Sequence, residues 1–123
     1  MHALRHVHEL LVPQGTLVDL HPVTEEQVEA ADRTIVGVIE DPAFSVDLPN
    51  AEACLRGAVR DGLYAFEDEV ELDFLQHFDE VEELIERKQE YLADQPALVR
   101  KIRAATPPLV IREHVVLRRL RVC

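Results

Sequence analysis

The sequence has few of the residues that build zinc sites, disulfide frameworks and phosphate-binding loops. Its two cysteines, Cys54 and Cys123, show no spacing typical of zinc ligands or of a disulfide framework. Its glycines are dispersed along the chain, at Gly15, Gly37, Gly57 and Gly62. Because a phosphate or cofactor loop needs several glycines close together, no such loop is predicted.

Basic residues and long apolar runs are also scarce. The chain has 13 Lys+Arg against 24 Asp+Glu, which gives a formal net charge of −11. Phosphate backbones and anionic lipid headgroups are repelled by such a charge, so we expect neither a nucleic acid nor a membrane partner. No apolar run is long enough to span a bilayer, and no basic-then-apolar signal segment is seen. The expectation is a soluble, cytoplasmic protein.

The remaining composition is that of one folded domain. The chain has 123 residues, of which 47% are hydrophobic and 30% charged. A chain of this length usually forms a single core, so we predict one domain over residues 1–123.

The first half of the chain indicates a helix, a strand and a hairpin. Apolar residues recur every three or four positions in residues 1–11, which predicts a short helix that Pro13 and Gly15 end. Residues 16–20 indicate a strand covered on both sides, and residues 21–32 a loop or weak helical turn. The β-branched stretch after residue 33 predicts an inserted β-hairpin over residues 33–47.

The second half predicts three helices and two long strands. Asn50 is the expected N-cap of a helix over residues 51–61, and a capping box at Asp79 opens a helix over residues 79–92. A short helix follows Asp94. Alternation over residues 66–75 predicts a strand whose face with Val70, Leu72 and Phe74 is core. Residues 109–121 indicate a last strand, whose arginines can pair with the acidic strand across the sheet.

Three stretches together resemble class I S-adenosylmethionine-dependent methyltransferases. LLVPQGTLVDLHP resembles the turn that leads into the fifth strand of that family, although the family usually has two glycines where this chain has Gln14 and Gly15. DGLYAFEDEVELDFLQHFDEVEELIER is similar to the sixth strand and the helical insert after it. VIREHVVLRRLRV is similar to the seventh, antiparallel strand.

The resemblance implies the C-terminal half of such a fold, without its first four strands. The expected fold class is α/β (α+β-like): a truncated methyltransferase-type mixed sheet with an antiparallel C-terminal strand, helices on its faces and the inserted hairpin. Strand 109–121 is expected between strands 16–20 and 66–75. In the family, S-adenosylmethionine is held by a glycine-rich turn after the first strand and an acid ending the second, so no cofactor-binding or catalytic residue is expected here.

Side-chain chemistry offers few candidate sites. His2, His6 and His8 are the nearest approach to a metal cluster, but no carboxylate or cysteine except Glu9 lies at a matching spacing, and no metal site is predicted. Ligands of open α/β sheets gather at strand ends, which makes Asp19 and His21 the candidate ligand contacts. The simpler interpretation, which we favour, is that Asp19 caps the following loop.

Three functions remain open. The first is a methyltransferase-like domain without autonomous methyl transfer, with a binding or assembly role. The second is part of a split enzyme, for which a partner chain supplies the missing half and with it S-adenosylmethionine. The third is a small-ligand-binding dimer. Since truncation leaves the backbone of Thr16, Val18 and Leu20 unpaired and some faces of the sheet bare, we expect a homodimer or a larger assembly, formed by joining edges or by packing faces, unless the hairpin covers the edge.

Overall fold

The computed structural model describes residues 2–123 of the chain, with side chains from residue 3 onward. The helices are α1 (His2–Leu10), α2 (Phe44–Arg60), α3 (Val81–Arg87), α4 (Gln89–Leu92) and α5 (Pro96–Ala104). The strands are β1 (Thr16–Pro22), β2 (Glu26–Glu29), β3 (Ile35–Ile39), β4 (Tyr64–Phe78) and β5 (Leu109–Val122). No helix in this part of the chain is long and apolar enough to cross a membrane.

The five strands form one open antiparallel sheet, organised by β5. The second half of β5 pairs with β1, from Thr16 opposite Arg121 to Pro22 opposite Val115. The first half of β5 pairs with β2, which also pairs with β3. β4 pairs with β5 as well. The expected α+β class is therefore confirmed, as is the position of the C-terminal strand between β1 and β4.

The predicted hairpin over residues 33–47 is wrong in its second strand. Residues 44–47 are the first turn of α2. The strand β3 pairs instead with β2, which precedes it in the sequence. The helix consequently starts after Ala43, and Asn50 is not its N-cap. Pro49 lies inside α2. A proline there removes one helical N–H, which is why the sequence favours a helix that begins only after it.

Two further expectations about strands are corrected. Residues 21–32 are not a loop throughout, because Glu26–Glu29 form β2 and Val28 is completely buried. The predicted core face of β4 is not buried either, since Val70 and Phe74 are exposed. Only the two ends of this strand, Tyr64 and Phe78, enter a hydrophobic core. The alternation of apolar and acidic residues correctly predicted a strand, but it did not show which residues of that strand are buried.

The described residues group into two compact units. The first contains the chain up to Pro22, Ala43–Leu72 and Val115–Cys123. Its core joins α2 to the ends of β4 and β5 through Leu55, Ala58, Tyr64, Leu120 and Val122. The hydroxyl of buried Tyr64 donates a hydrogen bond to the Leu4 carbonyl oxygen at 2.7 Å, which ties α1 to this core.

The second unit contains Val23–Pro42 and Asp73–His114. The apolar sides of α3, α4 and α5 pack with β2, β3 and the first half of β5. The completely buried members of this core are Val28, Leu84, Ile102, Leu109 and Ile111. Gly37 in β3 leaves room for Leu98 of α5, because a Cβ atom there would lie 2.5 Å from the Leu98 Cδ1 atom.

Candidate functional site

The outer edge of β1 is the first candidate site. Just before β1, the Gly15 carbonyl oxygen accepts a hydrogen bond from the Val122 N–H of β5 at 2.8 Å. Counting from Gly15 in steps of two, the odd-numbered residues of β1 point their N–H and C=O groups toward β5. Hydrogen-bonded and non-hydrogen-bonded positions alternate along an antiparallel pair. The N–H and C=O groups of Thr16, Val18 and Leu20 therefore point away from β5. Among the described residues, β1 has no strand partner on that side.

The side chains along this edge leave it open. Val18 is 60% exposed and Leu20 is 47% exposed. The next outward position is Pro22, which has no N–H to leave unpaired and so ends the edge. Lysine and internal proline are common protections of an edge strand, and neither occurs between Thr16 and Leu20. The structure thus places the three residues of the predicted edge in one unprotected row.

The other face of β1 carries a charge cluster, which we define as Asp19, His21, Glu52, Glu69 and Arg118. The His21 ring is held between two carboxylates, with Nδ1 at 2.8 Å from Asp19 Oδ2 and Nε2 at 2.6 Å from Glu52 Oε1. Arg118 donates to Glu52 Oε1 at 2.7 Å and to Glu69 Oε1 at 2.6 Å. Strands β1, β4 and β5 and helix α2 are all joined by this cluster.

The contacts of Glu52 in the charge cluster favour its charged form. Burial raises the pKa of Glu52, but hydrogen bonds from Arg118 and His21 outweigh it and hold that pKa below its usual value of 4.5. Among the described residues, no buried side-chain nitrogen or oxygen atom lacks a hydrogen-bond partner. The charge cluster therefore satisfies its own groups, which is typical of a structural network.

A cavity of about 480 Å³ opens beside the cluster. Glu52 and Arg118 line one part of it, and Arg56, Phe66 and residues 67–69 line the rest. Four of its lining side chains are acids and two are arginines, so the lining as a whole carries a net negative charge.

The second unit has a similar polar group around Asp73. Its carboxylate accepts hydrogen bonds from Arg112 and His114, each at 2.8 Å. These bonds, first that of His114 and then that of Arg112, hold the pKa of Asp73 below its usual value. Arg112 also donates to Glu29 at 2.7 Å. Every contact among these four side chains is an ion pair or a charge-assisted hydrogen bond, which indicates strand-to-strand stabilisation.

The sequence found part of this arrangement. The predicted ligand contacts Asp19 and His21 do lie together, but Asp19 bonds His21 instead of capping the loop. The expected pairing of β5 arginines with the acidic strand is confirmed by Arg118 and Glu69. Glu52 was missed, because it lies 31 residues from His21 and no local pattern connects them.

The metal and cofactor candidates lack support in the described residues. No group of three His, Cys, Asp or Glu side chains there is placed to hold a metal ion. His8 Nε2 lies 3.1 Å from the Cys123 carbonyl oxygen, and the side chain of His2 is outside the described residues.

The glycines do not fit the cofactor turn that the methyltransferase resemblance implies. That turn leads from a strand into a helix. Gly15 precedes a strand, Gly37 lies within β3, Gly57 lies within α2, and Gly62 leads from α2 into β4. No residue of this chain is therefore assigned to S-adenosylmethionine.

Comparisons of the chain with protein-family models, with curated proteins and with solved structures find no significant match.

Proposed function

We propose that this chain is a non-catalytic binding and assembly domain that works through the edge of β1. The observation that carries the proposal is the row of outward backbone groups at Thr16, Val18 and Leu20, with Val18 and Leu20 exposed beside it. An unprotected row of this kind is a template for a strand from another chain. The partner is a protein strand, not a nucleic acid or a membrane, in keeping with the net charge of −11.

The absence of autonomous methyl transfer rests on two features of the described residues. None of the four glycines lies in a turn from a strand into a helix, where the family holds its cofactor. The charge cluster pairs its acids with Arg118 and His21. We place the protein in the cytoplasm, where Cys54 and Cys123, neither of which forms a disulfide in the described structure, stay reduced.

A split methyltransferase is the second candidate. The order β1, β5, β4 is the order that the resemblance implies for the fifth, seventh and sixth strands of the family. In that family the strand equivalent to β1 has a further neighbour, so the open edge is where a chain with the cofactor half would join. S-adenosylmethionine would then belong to that chain.

A small-ligand-binding dimer is the third candidate. The supporting observation is the cavity beside Glu52 and Arg118, close to the predicted contacts Asp19 and His21. The internal pairing of these groups makes this candidate the weakest of the three.

Calorimetric titration with S-adenosylmethionine and S-adenosylhomocysteine separates a cofactor-binding chain from the proposed domain. We expect no heat of binding at millimolar ligand, because no described turn fits the cofactor. A dissociation constant in the micromolar range would overturn the non-catalytic proposal.

Sedimentation equilibrium tests the edge. We expect the chain at micromolar concentration to sediment above its 14.0 kDa monomer mass. The variant Val18→Lys places a charge on the edge and is expected to weaken association at least tenfold. Val46→Lys is the matched control, since Val46 is 58% exposed in the same unit but lies on α2. A wild-type chain at the monomer mass, or equal effects of the two lysines, would contradict the proposal.

A further inference from the structure

We infer that the partner on this edge is a second copy of the chain, joined antiparallel across a two-fold axis that passes through Val18. The inference rests on the proposed function and adds the symmetry and the register of the pairing. A two-fold axis makes each contact occur twice, so the strand must be complementary to itself. Any antiparallel register of Thr16–Leu20 is two-fold symmetric, so the number of hydrogen bonds that each register forms decides between them.

Hydrogen bonding favours the axis at Val18. In this register Val18 lies opposite the partner's Val18, and Thr16 lies opposite the partner's Leu20. All three are outward positions, and opposite residues at such positions exchange both N–H···O=C bonds. Every outward N–H and C=O group of Thr16, Val18 and Leu20 then has a partner.

The neighbouring registers leave some of these groups without a partner. An axis at Leu20 places Val18 opposite the partner's Pro22, which has no N–H. An axis at Leu17 places Leu20 opposite the partner's Gln14, whose N–H already donates to the Val122 carbonyl oxygen at 3.2 Å. Both registers therefore form fewer bonds than the axis at Val18.

An axis at Asp19 is disfavoured by the same proline, because it places Thr16 opposite the partner's Pro22, which has no N–H. It would also set two Asp19 side chains directly opposite each other, at the closely spaced type of antiparallel pair. The axis at Val18 instead places Asp19 opposite the partner's Leu17.

The acid at this edge is already compensated within its own chain. Asp19 Oδ2 is 2.8 Å from the His21 ring and 3.8 Å from Arg118. The local charge at the edge is thus lower than the net charge of −11 suggests. The long-range repulsion between two acidic chains remains, and salt screens it. We therefore expect the dimer to tighten as the salt concentration rises.

Single-cysteine cross-linking reads the register directly. In a background of Cys54→Ala and Cys123→Ala, Val18→Cys sets two sulfur atoms across the axis, with Cα atoms about 5.5 Å apart, a spacing that a disulfide bridges. Leu20→Cys is the control on the same edge, because its two copies would be about 13 Å apart along the strands. Copper-phenanthroline oxidation is expected to cross-link the Val18→Cys chain at least tenfold faster.

A charge pair provides a second, independent measurement. Thr16→Lys and Leu20→Glu lie far apart within one chain but face each other across the inferred axis. We expect the double variant to associate at least fivefold more tightly than either single variant, in sedimentation at low salt.

The register and the edge can fail separately. If Leu20→Cys cross-links as fast as Val18→Cys, or the double variant gains nothing, the register is wrong even where Val18→Lys still disrupts the dimer. If the unmodified chain sediments as a monomer, the edge proposal fails together with the register.

Discussion

Replacing Arg118 by alanine tests whether the charge cluster holds the first unit together. The Arg118 side chain is 13% exposed and reaches three acids from three different elements. Its shortest bonds are to Glu52 at 2.7 Å and to Glu69 at 2.6 Å. The variant removes both bonds and leaves Glu52 with His21 alone.

The expected loss follows from the exposure of each partner. A hydrogen bond to a charged, half-buried group such as Glu52 contributes about 1.5 to 3 kcal/mol. The bond to Glu69 contributes less than about 1 kcal/mol, because that side chain faces water. Since His21 still satisfies one Glu52 oxygen, we expect Arg118→Ala to lower the free energy of unfolding by about 2 to 3 kcal/mol.

Urea unfolding followed by circular dichroism measures this loss. Arg119→Ala is the matched control, because Arg119 is the next residue of β5, is 55% exposed and lies 3.8 Å from Glu67. We expect the control to change stability by less than about 0.5 kcal/mol. Arg118→Met keeps most of the apolar stem, so a loss close to that of alanine would assign the effect to the charge. Equal stabilities of the Arg118→Ala and Arg119→Ala chains would refute the reasoning.

Three further changes test other contacts of the first unit. Tyr64→Phe removes the hydroxyl that bonds the Leu4 carbonyl oxygen, and urea unfolding is expected to show a loss of about 1 kcal/mol; an unchanged midpoint would contradict that bond. The folded pKa of Glu52 is depressed, so its stabilisation is present above pH 4.5 and is lost as the pH falls through the folded pKa. Glu52→Gln should therefore be less stable at neutral pH and show a flatter pH dependence below 4.5, and parallel curves would count against it. Gln14 has φ 69°, a left-handed conformation that suits glycine, so Gln14→Gly is expected to raise the thermal midpoint and not to lower it.

The sequence predicted the strands that local signals delimit. Pro13 and Gly15 mark the start of β1, and Pro107 and Pro108 mark the start of β5, so both strands were placed within two residues of their observed bounds. Within this turn, Gln14 takes a left-handed conformation, which glycine adopts more readily.

Elements that depend on distant partners were not predictable. β2 has one large apolar residue, Val28, and becomes a strand because Ile111 of β5 lies opposite it. The first turn of α2 contains β-branched Val46 and precedes Pro49, both of which favour an extended interpretation. The rest of the helix is held by Leu55 and Ala58 in the core, and this packing overrides the local preference.

The candidate site was also predictable only where its signals are local. Asp19 and His21 could be singled out because a strand end is a local feature. Their contacts with Glu52 and Arg118 could not, because they are made across 31 to 99 residues of sequence.

The odd-numbered residues of β1 contribute to the stability of the fold, and its even-numbered residues are free to contribute to association. Asp19 and His21 join the charge cluster, and Leu17 packs against the core of the first unit. Thr16, Val18 and Leu20 direct both side chain and backbone away from these contacts. Because one strand serves the two roles with alternate residues, substitutions at even positions should change association with little effect on folding. Substitutions at odd positions should destabilise the fold first, and any loss of association should follow from that.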